Sequence, residues 1–215
     1  MDVLLDYIMI KEPIIHGLFP TPVMFGEMGR PYTKEELKFI KQSSYKTVKN
    51  NGNIHTTDTY ILSQPVMADI KKTLDEYVKE YYTNVMSVNM NKVSPYITQS
   101  WINYTKPGEY HHRHAHPNSL VSGVLYIDSD KEKDKILFYN SDAYKRIKPE
   151  ITTWNAFNSE SWWFPVGTGE LVMFPSELYH MVEQKEGKNL RTSLAFNTFL
   201  KGDIGITLEL TELRT

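Results

Sequence analysis

Apolar residues in the first half of the chain recur at helical spacing in two segments. Thr33 and Glu36 form a capping-box pattern just before an apolar stripe, which predicts a short helix over about residues 34–44. Residues 65–85 begin with a proline, which a first helical turn tolerates. Their apolar positions lie three and four residues apart, at Met67, Ile70, Leu74, Tyr77, Val78, Tyr81 and Val85. This second segment predicts a longer amphipathic helix.

From about Tyr96 the pattern changes to short β-branched and aromatic runs separated by Gly, Pro, Asn and Asp. Strands are expected over residues 97–104, 120–127, 135–139, 162–166, 170–174, 178–183 and 191–200, with a tail strand over 206–210. The charged run 131–135 (KEKDK) indicates a solvated turn. Many short strands with irregular turns favour a barrel or jelly roll over a parallel sheet. We therefore expect a mainly β fold with the two helices covering one outer face.

The chain has 215 residues, enough to bury one good core, so we expect a single domain. Residues 1–95 would supply an N-terminal strand and the helices, residues 96–200 the β core, and residues 201–215 a C-terminal tail strand. Hydrophobic residues make up 40% and charged residues 23%, which is typical of an ordinary globular protein.

Composition and charge limit which metal ligands and which binding partners the protein can have. The sequence contains no cysteine, so any metal must be held by histidine and carboxylate. The formal net charge of −2 is spread along the chain, which argues against nucleic acid or a membrane surface as a partner. No stretch reaches the roughly 18 to 20 apolar residues of a membrane span, and no leader pattern opens the sequence. We expect a cytoplasmic protein with a small-molecule or protein substrate, and a homodimer stays open.

Four of the seven histidines lie within residues 111–116 (HHRHAH). Side chains alternate along a strand, so His112, His114 and His116 are expected on one face, with His111 and Arg113 on the other. Two imidazoles at positions i and i+2 can bind one metal ion without bending the backbone. A solvated histidine cluster is the alternative, and histidine's frequent role as a metal ligand favours the metal site.

The strands after residue 170 supply further candidates. His180 alternates with Leu178 and Val182 in an expected strand and is the best candidate for a third metal ligand. Eleven residues later, Arg191 begins a strand that places Arg191, Ser193, Ala195 and Asn197 on one face. A guanidinium can bind a carboxylate through two parallel hydrogen bonds, and a hydroxyl two residues along the strand can add a third.

The order of these motifs resembles the Fe(II)/2-oxoglutarate dioxygenase superfamily, and more narrowly a bacterial and phage branch of 2-oxoglutarate oxygenases. The similar segments cover most of residues 18–199: LFPTPV at 18–23, WINY at 101–104, HAHP at 114–117, SGVLY at 122–126, and the block 174–197. The resemblance implies a double-stranded β-helix of the jelly-roll, cupin-like type with N-terminal flanking helices. It also implies iron(II) and 2-oxoglutarate as cofactors of a hydroxylase-type oxidation that forms succinate and carbon dioxide.

Family roles carry over onto matching positions. His114, His116 and His180 would hold the iron and form the catalytic centre, while Arg191 and Ser193 would bind the distal carboxylate of 2-oxoglutarate. Gln99, Asn103 and Tyr126 lie on strands expected to line the pocket, and they are candidates for bonding the cosubstrate. The sequence departs from the family at one ligand, because a second histidine stands where the superfamily has Asp or Glu.

Two alternatives stay open at the level of sequence. The metal pair is His114 and His116 if the strand ends at Pro117, with His112 then facing the substrate or supporting the ligands; otherwise it is His112 and His114. The function is either that of a 2-oxoglutarate oxygenase or that of a three-histidine cupin-like metalloenzyme that does not use 2-oxoglutarate. A non-catalytic protein that binds a metal or a ligand is a further alternative.

Overall fold

Two helices and twelve strands form the part of the chain that the computed structural model describes, which comprises residues 14–140, 147 and 149–215. The helices are α1 (Lys34–Ser43) and α2 (Ala68–Glu80). The strands are β1 (Met24–Glu27), β2 (Thr47–Lys49), β3 (Ile54–Thr56), β4 (Val93–Thr105), β5 (His111–His114), β6 (Val121–Asp128), β7 (Lys135–Tyr139), β8 (Ser161–Pro165), β9 (Glu170–Pro175), β10 (His180–Val182), β11 (Arg191–Ile204) and β12 (Leu213–Arg214). Residues 1–13, where a leader pattern was not expected, lie outside the described residues.

The strands form two sheets with antiparallel pairing. The larger sheet has the order β1-β9-β6-β11-β4-β3-β2, and β12 pairs with β11. The smaller sheet has the order β5-β10-β7-β8. Sequence neighbours are often separated in these orders, as in a jelly roll, and the expectation of a mainly β fold is confirmed. The division into one domain with the boundaries given above stays a prediction.

Alternation along β6 separates two hydrophobic clusters. Leu125 belongs to the cluster that contains Ile70 and Leu74 of α2, so this face of the larger sheet is covered by the helix. Tyr126 belongs to a second cluster that contains Phe138 of β7, so the opposite face packs against the smaller sheet. Because successive strand residues point to opposite faces, β6 and β9 contribute to both clusters.

Both predicted helices are present. The capping box of α1 is complete, because the amide of Glu36 donates to Thr33 Oγ1 at 3.1 Å and the amide of Thr33 donates to Glu36 Oε2 at 2.7 Å. The second helical segment has three parts, a 3-10 turn at Pro65–Met67, then α2, then a π-helix at Tyr81–Val85. Neither helix is long and apolar enough to span a membrane, within the described part of the chain.

Several strand assignments differ from the sequence predictions. The predicted tail strand over residues 206–210 is wrong: Thr207–Glu209 is a 3-10 turn, because the backbone reverses at Gly205 (φ 84°) and Leu210 (φ 57°). The tail instead pairs through β12. One N-terminal strand was expected within residues 1–95, whereas the structure has three there, β1, β2 and β3. Their positions were not predicted, since runs of three or four residues show too little alternation to be recognised.

Candidate active site between the two sheets

A cavity lies between the two sheets, and seven of the eight predicted site residues line it. Its walls are formed by Asn53, Trp101, Asn103, Thr105, His111, His114, His116, Val124, Tyr126, Ile136, His180, Val182, Arg191, Ser193 and Ala195. Gln99 is not among them; its Nε2 lies 3.5 Å from Thr59 Oγ1 at an exposed position. The expectation that Gln99 lines the pocket is therefore wrong.

Strand register explains why the polar residues of β4 and β11 meet in this cavity. Asn103 lies opposite Ser193 in the antiparallel pairing of the two strands. Arg191 and Ala195 share the face of Ser193, as alternation along β11 predicted, while Leu194 points into the core beneath the helices. The larger sheet thus presents its anion-binding candidates to the smaller sheet, which carries the histidines.

Three histidines bring nitrogen atoms together at one end of the cavity. One ring nitrogen each of His114, His116 and His180 lies within 4.8 Å of the other two. His114 and His180 are direct neighbours across β5 and β10. His116 follows β5, where its amide donates to Ser176 O at 2.8 Å and holds the chain beside the strand end. This spacing fits a single metal ion, which needs ligand atoms about 2.0–2.2 Å from its centre.

Hydrogen bonds at Nδ1 hold the three rings with Nε2 free. The Nδ1 of His114 lies 2.7 Å from His112 O, and that of His180 lies 3.0 Å from Leu178 O. The Nδ1 of His116 lies 2.6 Å from Asn197 Oδ1. A nitrogen that faces an oxygen acceptor must carry the proton, so the lone pair of each neutral ring is on Nε2.

The Nε2 of His116 is the clearest sign that this set is suited to a metal ion. This nitrogen is buried and has no hydrogen-bond partner among the described residues. Leaving a buried polar atom unpaired costs about 1–3 kcal/mol, so such atoms commonly have a bound ligand or ion as their partner. The donor set therefore fits a divalent transition metal.

Burial keeps the three imidazoles neutral. Burial and, second to it, the neighbouring His114 lower the pKa of His116 to about 4 and that of His180 to about 3. Burial also lowers the pKa of His114 from its usual value. All three rings are therefore unprotonated near neutral pH, the form in which histidine binds metals. No carboxylate joins them, since both candidate metal groups found among the described residues consist of histidine alone.

Arg191 belongs to a buried cluster with one anion and two cations. Asp134 Oδ1 lies 3.4 Å from Arg191 Nη1 and 3.2 Å from Lys185 Nζ, and all three side chains are at least 96% buried. Burial lowers the pKa of Arg191, while Tyr126 and Asp134 raise it. One carboxylate cannot neutralise two cations, so the cluster has surplus positive charge next to the cavity, which favours an anionic ligand. The expectation of a solvated turn at residues 131–135 is wrong for Asp134.

Two asparagines that line the cavity have side-chain oxygens without a hydrogen-bond partner among the described residues. The Oδ1 atoms of Asn53 and Asn103 are buried and accept no hydrogen bond from any described residue. The Nδ2 of Asn53 donates to Thr105 Oγ1 at 3.2 Å, which fixes the side chain against β4. Asn103 was a predicted site residue, whereas Asn53 was not, because the turn between β2 and β3 carries no pattern that points to a site.

The predicted faces of β5 are wrong for two histidines, His111 and His112. His111 lines the cavity with His114, although simple alternation places the two on opposite faces. The reason is a β-bulge: His180 and Val182 of β10 pair with His114 and His111, so two steps on one strand match three on the other. His112 does not line the cavity; its Nδ1 lies 3.2 Å from Asn51 O.

Comparison with protein families matches the region that carries these residues. The family model described as "Putative 2OG-Fe(II) oxygenase" matches residues 99–197. This range includes the three histidines, Arg191, all of β6 and the cavity-lining parts of β4 and β11. No curated protein matched the sequence.

Solved structures share the fold at low sequence identity. HygX from Streptomyces hygroscopicus, solved with nickel, 2-oxoglutarate and hygromycin B bound, has a TM-score of 0.56 and 12% identity, over 83% of this chain and 82% of that chain. A prolyl-4-hydroxylase from Pseudomonas putida has a TM-score of 0.52 and 12% identity, over 82% of this chain and 92% of that chain. A 2OG-Fe(II) oxygenase family oxidoreductase from Burkholderia pseudomallei has a TM-score of 0.52 and 13% identity, over 77% and 78%. The expected jelly-roll fold is therefore confirmed.

Proposed function

We propose that the chain oxidises its substrate with iron(II) and 2-oxoglutarate, held between the two sheets. The match of residues 99–197 to the 2OG-Fe(II) oxygenase family model supports this proposal. His114, His116 and His180 are the metal ligands in this proposal. One observation carries it: three unprotonated ring nitrogens lie within 4.8 Å of one another in the same cavity as a buried arginine. The cavity therefore offers a position for a metal ion next to a position that can bind the carboxylate of a ligand.

The cavity residues have separate tasks in this proposal. A ferrous ion held by three protein ligands has open positions and supplies the oxygen chemistry that converts 2-oxoglutarate to succinate and carbon dioxide while the substrate is hydroxylated. Arg191 and Ser193 bind the distal carboxylate of 2-oxoglutarate through charge-assisted hydrogen bonds. Burial raises the pKa of Tyr126, so its hydroxyl stays protonated and can donate a hydrogen bond to the cosubstrate.

Asn103 and the apolar wall complete the pocket. The side-chain amide of Asn103 has no partner for its oxygen and is placed to bond a polar group of the cosubstrate or the substrate. Val124 and Ile136 line the same cavity and exclude water from it, which strengthens the polar interactions inside. A small-molecule or protein substrate and a cytoplasmic location stay predictions from the sequence.

The test is an anaerobic titration of the iron-loaded protein with 2-oxoglutarate. Chelation of the keto acid by ferrous iron produces a metal-to-ligand charge-transfer absorption in the visible range. We expect this band in the wild type and no band in His114→Ala or His180→Ala. Arg191→Ala should keep the iron but need a much higher 2-oxoglutarate concentration, since loss of a charge-assisted hydrogen bond costs about 1.5–3 kcal/mol.

Two histidine variants act as controls for the choice of ligands. His16→Ala removes an exposed histidine and should leave the band unchanged. His112→Ala should keep the band at equilibrium whereas His116→Ala should lose it, which separates the two candidate ligand pairs. A protein that binds iron but gives no band with 2-oxoglutarate would contradict the proposal.

The all-histidine ligand set favours a second candidate function. Three neutral imidazoles carry no negative charge toward the metal, unlike a set with one carboxylate. A three-histidine metalloenzyme that does not use 2-oxoglutarate would show oxygen consumption without succinate formation. A protein that binds iron and 2-oxoglutarate but consumes no oxygen with any substrate tested would instead fit a ligand-binding role.

A further inference from the structure

The β-bulge in β5 creates a second cluster of histidine side chains next to the metal triad. It places the rings of His111 and His114 in a stack, with 4.5 Å between their centroids and 23° between their planes. The ring of His112 lies 4.8 Å from that of His114 and 5.4 Å from that of His111. Three histidines within four residues of one strand thus have their rings side by side, half-buried.

These three side chains have the spacing of metal ligands. One ring nitrogen each of His111, His112 and His114 lies within 4.8 Å of the other two. The Nδ1 of His112 faces Asn51 O at 3.2 Å, which leaves its Nε2 lone pair free. The Nε2 of His111 lies 3.1 Å from Asn50 Nδ2, so a metal bond at that nitrogen would replace one neutral hydrogen bond.

His114 is common to this group and to the triad of the proposed active site. Its Nδ1 is bonded to His112 O, so it offers only Nε2 to a metal. One nitrogen cannot complete both three-ligand sets for two separate ions, which makes the two positions alternatives for one ion. The triad with His180 is the inner of the two positions, because His180 is buried whereas all members of the second group are half-buried.

We propose that His111, His112 and His114 form an outer metal position, from which a divalent transition-metal ion passes to the inner triad with His114 as the common ligand. Imidazole ligands suit zinc, copper, nickel and iron, whereas magnesium and calcium need oxygen ligands. The outer position therefore takes the same class of ion as the inner one. It goes beyond the proposed oxygenase function, because it requires no 2-oxoglutarate.

The first experiment isolates the outer position. His116→Ala/His180→Ala leaves the inner triad with one ligand, and nickel(II) binding to this variant is measured by isothermal titration calorimetry without 2-oxoglutarate. We expect one nickel ion per chain, and nickel anomalous scattering should place it among His111, His112 and His114. Adding His112→Ala should weaken binding at least about tenfold, the scale of losses seen when a metal site is disturbed.

The matched control is His16→Ala in the same double-variant background, which should leave nickel affinity unchanged within about twofold, as expected for an uninvolved side chain. If the double variant binds nickel no better than the triple variant with His112→Ala, the outer position does not exist. Circular dichroism of the metal-free proteins establishes that each variant is folded.

The second experiment tests transfer in the otherwise unaltered protein. The Trp101 ring lies 5.8 Å from that of His116, so its fluorescence reports nickel arrival at the inner triad. In stopped-flow mixing, His112→Ala should slow nickel uptake while the equilibrium affinity of the intact inner triad stays within about twofold of wild type. An unchanged uptake rate would overturn the proposal. Because 2-oxoglutarate is absent, failure of 2-oxoglutarate binding would not affect either measurement. The second experiment rests on metal binding by the inner triad of the proposed function, whereas the first does not.

Discussion

At the scale of single residues, Asp134 is a buried carboxylate on which two buried cations depend. Its Oδ1 lies 3.2 Å from Lys185 Nζ and 3.4 Å from Arg191 Nη1. Its Oδ2 accepts from the amide of Asp130 at 2.9 Å. Asp134→Asn keeps the shape but leaves both cations without an anion, so the free energy of unfolding should fall by about 3–5 kcal/mol. Urea denaturation measures this loss.

The exposed ion pair of the next residue, Lys135, is the control for Asp134. Lys135 Nζ lies 2.7 Å from Glu183 Oε2, and both side chains are more than one-third exposed. Solvent screens this pair, so Glu183→Gln should change the free energy of unfolding by less than about 1 kcal/mol. Equal losses for the two variants would mean that the buried cluster contributes no more than a surface pair.

Two histidines with a lowered pKa should make the metal-free protein sensitive to mild acid. Burial holds the pKa of His116 at about 4 and of His180 at about 3, against 6.5 for an unperturbed histidine. As pH falls below 6.5 the unfolded chain takes up these protons first, so stability is present above 6.5 and is lost as pH falls toward 4. Each histidine contributes a slope that approaches about 1.4 kcal/mol per pH unit.

The acid sensitivity can be assigned by comparing variants. The free energy of unfolding of metal-free His180→Gln, followed by urea denaturation from pH 7 to pH 4.5, should fall less steeply than that of the wild type. His16→Gln, at an exposed position, should follow the wild-type curve. Identical slopes for wild type and His180→Gln would contradict the burial-based origin of the effect, because carboxylates titrate equally in both proteins.

The sequence predicted the individual site residues to the extent that strand alternation holds. Arg191 and Ser193 share a face of β11 as expected, and His114, His116 and His180 meet. Alternation fails where a strand is bulged, which is why His111 was assigned to the wrong face. Burial of charged residues was not predictable either: Asp134 and Lys185 stand in charged segments, and only the tertiary structure brings cations and anion together.

At the scale of elements, the contact between β6 and β11 depends on a glycine. Gly123 lies directly opposite Phe196 in the antiparallel pairing, and a Cβ placed on Gly123 would overlap the ring of Phe196. That ring is fully buried and cannot move aside. Gly123→Ala should therefore lower the free energy of unfolding by about 1–3 kcal/mol or more through overpacking. Thermal or urea unfolding measures the loss.

A second substitution distinguishes steric overlap from other effects of alanine. In the Gly123→Ala background, Phe196→Leu removes the ring that the new methyl group meets, so the double variant should lose less stability than the sum of the two single variants. Gly17→Ala is the control, since its Cβ would lie 3.8 Å from the ring of Phe157 in ordinary contact. Additive losses would show that the ring and the methyl group do not clash.

Elements were predictable where the pattern was long. The alternating runs after residue 96 correspond to β4, β6, β7, β8, β9, β10 and β11, although the ends of several strands differ. The helical periodicity of residues 65–85 is confirmed, but it does not reveal that the segment is divided into 3-10, α and π parts. The hydrogen bond from this segment to β11, between Tyr82 Oη and Thr198 Oγ1 at 2.9 Å, forms only in the folded chain.

At the scale of the whole molecule, the candidate site joins the two sheets. His114 and His180 belong to the smaller sheet, whereas Arg191, Ser193 and Asn103 belong to the larger one. A metal ion with a chelated keto acid would therefore connect both sheets across the cavity. A ligand that binds only the folded state stabilises it by mass action, so the metal and the cosubstrate should each raise the free energy of unfolding.

Whether stabilisation by 2-oxoglutarate depends on bound metal tests whether the two bind together between the sheets. Nickel(II), at about 100 times its Kd, should add about 2.7 kcal/mol in urea denaturation, and 2-oxoglutarate should add a further increment only when nickel is present. Glutarate has the same two carboxylates without the keto oxygen and should add little, because it cannot chelate the metal. Arg191→Ala should keep the nickel increment and lose that of 2-oxoglutarate. Equal stabilisation by 2-oxoglutarate with and without nickel would place the keto acid away from the histidines, since chelation makes the second increment depend on the first.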